Sequence, residues 1–522
     1  MEKKDSRTNN ATRNAMTGAM TQVLGVLIEF VTRTIFIKIL GSEYLGVNGL
    51  FTNILTVLSF AELGIGEAII FNLYKAIADN DEKKIKSLLN LYKKAYTYIG
   101  IIVLILGLCI TPMIELFIES TPNIKENIHC IFILFLLNTV TTYFFAYKKS
   151  IILAKQKGYI LNICKLLTTV AKSILQIVFL ILTKNFIIYL LIMITSSLID
   201  NIVSFIISDK MFGNYKAGAE QLSKQEKKSI FANVKSLVLY KFSFVVLSGT
   251  DNIIVSKMLG LKMVGLLSNF HLLINTVITV LGNALNGFTA SIGNLNAKSS
   301  TENQESVFKE LFMFCVWLYG LCAIMCLILV RPFVVIWLGE EYLLSIATVV
   351  ALIFNMYISG IQFTGYTFRT TLGLFTKGRY IPVLTAALNI VLSIILCKYI
   401  GMTGIILATA ISRLVTTTWY DIYAVHKYGF NTSPINSYIK YIYYFIIFVI
   451  NATTCYFAIN LIGIGGILGF VLKATLSAIL PNVIFALFFH KLEEYNKLKN
   501  RLKGIFFKKF GKLFLKKEHK NG

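Results

Sequence analysis

The chain has 522 residues, 56% of them hydrophobic and 15% charged, with a net charge of +25 and a mean hydropathy of +0.69. Soluble domains carry roughly a quarter charged residues. Here apolar runs of about twenty residues recur instead from end to end, each able to cross roughly 30 Å of hydrocarbon. That excludes a water-soluble globular fold and predicts an all-α polytopic membrane protein.

In chain order, Met1 to Asn14 is polar and runs directly into a first span over 14–39 without a cleavable signal pattern, so that span is expected to be retained. Glu29 and Arg33 lie four residues apart within it and can pair on one helix face. The second span, 44–74, holds Glu62 and, within Gly64-Ile-Gly66-Glu67, a second carboxylate. Spans over 95–118 and 128–147 follow. The fifth, 159–183, presents Lys165 and Lys172 seven residues apart and so on one face, and the sixth, 186–208, carries Asp200. A polar stretch from Asp209 to Lys228 closes this half.

The seventh span, 230–259, contains Lys235, Lys241 and Asp251. The eighth, 264–290, carries His271 with Asn269, Asn275, Asn283 and Asn286. Amides both donate and accept, which suits sugar hydroxyls and equally suits hydrogen bonds between helices; His271 reads as a packing group. Spans over 308–330 and 343–368 come next. Asn355, Gln362 and Arg369 recur there at seven-residue steps as one polar stripe. Spans over 380–398 and 402–425 follow, with Arg413 near mid-membrane and Asp421 nearer the cytoplasm. Spans over 437–459 and 463–489 complete about fourteen helices.

Two stretches repeat one pattern. Lys38-Ile-Leu-Gly41-Ser-Glu-Tyr-Leu-Gly46 and Lys257-Met-Leu-Gly260-Leu-Lys-Met-Val-Gly265 both read Lys-x-Leu-Gly-x-x-x-[Leu/Val]-Gly, about 219 residues apart. Each lies between one long apolar segment and the next. An offset of six spans predicts two parallel six-helix lobes around a central cavity, a common transporter architecture. The expected divisions are 1–228 and 229–430 for the lobes, 431–490 for two additional helices and 491–522 for a basic tail. In that tail Leu498, Leu502, Ile505, Phe506, Phe510 and Phe514 alternate with lysines, which fits a helix lying on anionic membrane lipids or a disordered solubilising tail.

Lysines and arginines cluster in alternate connections: Lys83 to Lys94, Lys148 to Lys157 and Lys210 to Lys228. This positive-inside distribution places both termini in the cytoplasm and explains the basic charge without a nucleic-acid partner. The eight cysteines lack metal-ligand spacing and read as small buried apolar groups. No Walker motif or histidine array supports a nucleotide, metal or other cofactor, and no extramembrane stretch is long enough for an enzyme domain.

Ionisable groups inside spans each need a partner or a hydrated cavity. Taken singly, Glu29–Arg33 also reads as a buried pair, and Lys235 and Arg369 as side chains snorkelling to the interface. As a set they fit one cavity, with Arg33, Lys165, Lys172, Lys241 and Arg413 as substrate-binding candidates for an anionic headgroup. Glu29, Glu62, Asp200 and Asp251 are candidates for ion coupling, with H+ or Na+, or for structural pairing.

The stretch from Arg33 through Lys38, Gly41, Gly46 and Phe51, continuing over Leu58 to Gly66, resembles the amino-terminal signature of bacterial polysaccharide repeat-unit flippases. Leu73-Tyr-Lys75 and the segment Asp81 to Lys94 share the resemblance, and Thr250-Asp251 through Gly260 looks like the corresponding start of helix eight. That family belongs to the multidrug/oligosaccharidyl-lipid/polysaccharide exporter superfamily, whose two six-helix lobes plus two helices agree with the count above. The resemblance implies a non-enzymatic flippase in the bacterial plasma membrane. It would move an undecaprenyl-pyrophosphate-linked oligosaccharide outward by alternating access, alongside polysaccharide assembly proteins. Arg33 is the position carried over first; Glu62 and Asp251 match motif positions whose role is structural in one reading. The rivals are a cation-coupled drug antiporter on the same fold, a peptidoglycan-precursor flippase, and a membrane polymerase or transferase.

Overall fold

Long apolar runs leave the backbone no water to bond with, so helices are the expected outcome, and no strand occurs among the described residues. The structure is a computed structural model that describes residues 7–62, 64–213, 222–374, 377–461, 463 and 466–500. The side chains of Glu67, of 231–244 and of a few other helical positions are also outside the described residues, so Lys235 and Lys241 are placed by backbone alone. The basic tail beyond residue 500 likewise falls outside them.

Two compact units are formed, Met1–Asn269 and Phe270–Gly522. The first begins with α1 (Arg7–Leu40) and a broken second span. That span consists of α2 (Ser42–Leu58), a 3-10 turn over Ser59–Glu62 and α3 (Ile65–Ala78), the break falling at Gly64 with φ 82°. Next come α4 (Glu82–Ile110), α5 (Ile128–Phe144) and α6 (Ala146–Ala154), the last two bent by 46° as one span. The unit continues through α7 (Gly158–Thr183), α8 (Phe186–Phe212), α9 (Lys224–Leu259) and the start of α10 (Leu261–Lys298). Polar caps restart the chain after its connections. Asp81 accepts from the Lys84 amide, Asn127 and Asn185 cap α5 and α8, and Ser223 with Glu226 forms a capping box on α9.

Within this unit α1 packs on α7, α7 on α8, α4 and α8 on α5, and α9 on α2. The last of these contacts explains why the compact unit ends inside α10, whereas the repeat alone divides the chain at 228. Edge-on rings fill the interior, with Phe36 5.6 Å from Phe186 and Phe51 5.1 Å from Phe132.

The second unit contains the rest of α10, then α11 (Thr301–Trp337), α12 (Ile346–Thr371), α13 (Ile381–Arg413), α14 (Trp419–Ala424), α15 (Ile435–Asn460) and α16 (Gly466–Phe489). α13 is kinked at Ile400 and Gly401, so it supplies all of the eleventh span and the beginning of the twelfth. The twelfth continues through two π-helical turns, Leu414–Thr418 and Val425–Phe430, on either side of α14. Here α11 packs on α12, α15 and α16, and Tyr357 stacks on Phe448 at 3.9 Å.

Followed this way, the chain makes the fourteen expected segments. Nine of the described helices are individually long and apolar enough to span, ten if the bent pair counts as one. Two features of the described residues contribute to the difference: the second span is broken at Gly64, and the kinked α13 runs two spans together. All eight cysteines are free, and five are buried.

Candidate functional site

The two copies of the repeated motif meet inside the first unit. Gly41 (φ 92°) and Gly260 (φ 86°) each break one long helix from the next, a backbone region open to glycine and strained for other residues. Five residues on, Gly46 faces the backbone of Leu261, while Gly265 faces the backbone of Ser42. The contact is reciprocal: the second glycine of each copy lies against the residue following the first glycine of the other. Lys257 Nζ donates to the Ile118 carbonyl (3.3 Å), and the Glu119 amide donates to the Ser256 carbonyl (3.2 Å). Both bonds tie the connection after α4 to the same corner.

From that corner the start of α10 presents Ser268 and Asn269 to α1. Arg33 donates from Nε to Asn269 Oδ1 (2.9 Å) and from Nη2 to Ser268 Oγ (2.6 Å). Its Nη1 makes no hydrogen bond among the described residues. The expected Glu29–Arg33 ion pair is absent from the ion pairs among the described residues; the guanidinium is turned toward α10, and Glu29 is left exposed. Glu29 still lies within electrostatic reach of both Arg33 and Lys172, and Lys165 lies within reach of Lys172. Tyr189 of α8 faces the same Arg33 and Glu29. Thus Arg33, Lys165, Lys172 and Glu29 gather along the α1/α7 contact, three cations against one carboxylate.

The polar seam continues toward the N-terminal end of α1. Asn14 donates to the Gln156 carbonyl (2.9 Å) and accepts from the Tyr159 amide (2.7 Å), while Asn162 donates to Thr17 Oγ1 (3.2 Å). The seam ends at a cavity of about 400 Å³ lined by Asn14, Lys149, Asn162, Lys165, Asp200 and Ser204, among others. The sequence reading singled out Lys165 and Asp200 here but missed Asn14, Asn162 and Ser204. Spacing held a signal for one of these, since Asn162, Lys165 and Lys172 follow one another at helical intervals of three and seven.

The remaining acidic candidates divide: Asp200 belongs to the cavity wall, whereas Glu62 and Asp251 lie on other elements. Asp200 pairs with Lys149 at 2.6 Å and accepts from Thr168 (3.4 Å). Glu62 accepts from Tyr96 (2.8 Å) at the break in the second span, beside stacked Tyr92 and Tyr96. Asp251 is half-buried on α9, and the Lys241 side chain lies outside the described residues.

In the second unit Arg413 reaches α12, donating to Ser359 Oγ and to Asn355 Oδ1. Arg369 does not snorkel. It is 1% exposed and donates to Asp421 at 2.5 Å, with Nη2 on the Lys377 carbonyl (2.6 Å). A guanidinium this deep requires a carboxylate partner, and Asp421, which also lies within electrostatic reach of Gln362, supplies it. The stripe on α12 therefore faces the π-helical region, with Asn355 at Arg413 and Gln362 and Arg369 at Asp421. No group of metal-ligating side chains occurs among the described residues.

The family model for polysaccharide biosynthesis proteins matches residues 11–282, just over half of the chain. No curated protein matches by sequence. Among solved structures, the lipid II flippase MurJ in an inward closed conformation superposes with a TM-score of 0.64 at 16% identity, covering 92% of this chain and 99% of that one. A mutant of the Vibrio cholerae MATE transporter VcmN gives 0.57 at 15% identity, covering 82% and 99%. An inward-facing multidrug resistance MATE transporter of the MOP superfamily gives 0.57 at 16%, covering 79% and 98%. The chain is a multi-pass membrane protein that belongs to the polysaccharide biosynthesis protein family, built on the fold shared by MurJ and the MATE transporters.

Proposed function

We propose that the protein is a flippase that moves an undecaprenyl-pyrophosphate-linked oligosaccharide from the cytoplasmic to the outer leaflet of the bacterial plasma membrane by alternating access. The observation that carries this reading is the oriented guanidinium of Arg33. Ser268 and Asn269 hold two of its nitrogens, Nη1 makes no hydrogen bond among the described residues, and Lys172 shares its neighbour Glu29. A fixed fork beside a second cation suits a diphosphate, because charge-assisted bonds to it are short and directional. Arg413, oriented by Asn355 and Ser359 in the other unit, is assigned to the same cargo. The polyprenyl chain stays in lipid, and the reading needs no cofactor. Membership in a polysaccharide biosynthesis family supports a glycan cargo.

The test is the leaflet location of lipid-linked oligosaccharide in cells depleted of this protein and complemented with wild type, Arg33→Gln or Arg413→Gln. Intact units should accumulate on the cytoplasmic face on depletion. Wild type should restore export, and neither variant should do so despite normal protein levels. Units reaching the outer face during depletion would overturn the cargo and bring drug or cation export forward. Full rescue by both variants would overturn the site.

A further inference from the structure

The cavity at the end of the polar seam has a chemistry of its own. It lies between α1, α6, α7 and α8, all within the first unit, beside the Lys155–Lys157 connection that the charge distribution assigns to the cytoplasm. Its charged members are Lys149, Lys165 and Asp200. Asp200 is already neutralised by Lys149 at 2.6 Å, so Lys165 is left as the surplus cation. Lys165 is exposed and makes no ion pair among the described residues. Ser204 is 1% exposed, and its Oγ has no hydrogen-bond partner among the described residues, although the side chain lines the cavity. A buried hydroxyl left unsatisfied is costly and marks the place of a missing acceptor. Asn14 and Asn162 each give one amide hydrogen to the protein, and each has a second to offer. Leu153 and Leu161 form the apolar part of the wall.

One surplus positive charge, three donors and an apolar rim do not suit a metal cation, which would meet two ammonium groups. They suit a singly or doubly charged oxyanion joined to an apolar chain. The volume of about 400 Å³ is within the range of small-ligand sites, larger than a bare phosphate needs. We propose that this cavity binds the phosphate of a lipid headgroup, with Lys165 as its counter-ion and Ser204, Asn14 and Asn162 as donors. The site is separate from the Arg33 fork, and its assignment does not depend on which cargo the protein carries.

The experiment titrates purified full-length protein in detergent with dihexanoyl phosphatidate, dihexanoyl phosphatidylcholine and inorganic phosphate, following heat release. Phosphatidate should bind best, and Lys165→Gln should weaken it about tenfold, the loss expected for one charge-assisted bond. Lys165→Arg should retain binding. Because Lys165 is exposed, the unfolding temperatures of the Lys165 variants should match wild type, and Ser204→Ala provides a second variant with a several-fold loss. Equal phosphatidate affinity in wild type, Lys165→Gln and Ser204→Ala would overturn the site. Equal binding of inorganic phosphate would overturn the lipid source, and equal binding of phosphatidylcholine would overturn the role of charge.

Discussion

Consider Gly46→Ala, Gly265→Ala and their combination. A Cβ on Gly46 would lie 2.7 Å from the Leu261 carbonyl carbon and nearer still to its oxygen, while one on Gly265 would lie 3.0 Å from the Ser42 carbonyl carbon. Ordinary contact begins near 3.4 Å, so α2 and α10 must part by more than about 1 Å at this crossing to clear the two carbonyl oxygens, which as backbone atoms cannot turn aside. Overpacking of this kind costs about 1–3 kcal/mol. The change also removes a helical glycine, which by itself stabilises by about 1 kcal/mol. Overpacking wins, and each single variant should lose up to about 2 kcal/mol. The reciprocity sharpens the expectation. The displacement that admits one methyl also makes room for the other, so the double variant should lose clearly less than the sum of the singles. Gly25→Ala, where a Cβ meets nothing within 4 Å, is the control and should be neutral or stabilising. The assay is thermal unfolding in detergent, followed by tryptophan fluorescence. Single variants behaving like Gly25→Ala, or a strictly additive double, would refute the reciprocal contact.

Arg369→Met or Asp421→Leu alone strands a buried charge and should cost about 3–5 kcal/mol, whereas the double apolar replacement should recover most of the folded yield on size-exclusion chromatography. Glu226, outside the membrane spans, is held below the ordinary glutamate value of 4.5 by Lys84 at 3.1 Å and by bonds from Ser223. Its contribution is therefore fully present above pH 4.5 and lost as pH falls through the depressed value. Glu226→Gln should slightly lower stability at neutral pH and flatten the acid limb of the melting profile.

Much of the fold was legible because hydrocarbon imposes a single demand on the backbone. Apolar runs, their lengths and the cation-rich connections led to helices and to their count. The repeat spacing pointed to duplication, and the two motif glycines proved to share one conformation and one corner. Individual side chains were less legible. Spacing along one helix made Glu29 a plausible partner for Arg33, and a position near a helix end made Arg369 a candidate for snorkelling. Periodicity reports which face of its own helix a residue occupies, and the partners across that face come from other parts of the chain. Arg33 instead found Asn269, 236 positions away, and Arg369 found Asp421, 52 positions away.

By itself, then, the sequence determined the solvent of this protein, its helical architecture, its repeated glycine motif and the inventory of charges that must be accommodated. These follow from local composition, because every segment meets the bilayer independently. Only the tertiary structure decided which charges are satisfied internally, as with Lys149–Asp200 and Arg369–Asp421, and which are held in place with hydrogen bonds to spare, as with Arg33. It alone set the Gly46 and Gly265 contacts against each other and opened a cavity beside Lys165. The energy of a buried charge depends on atoms a few ångströms away, and those atoms belong to segments brought together only by packing.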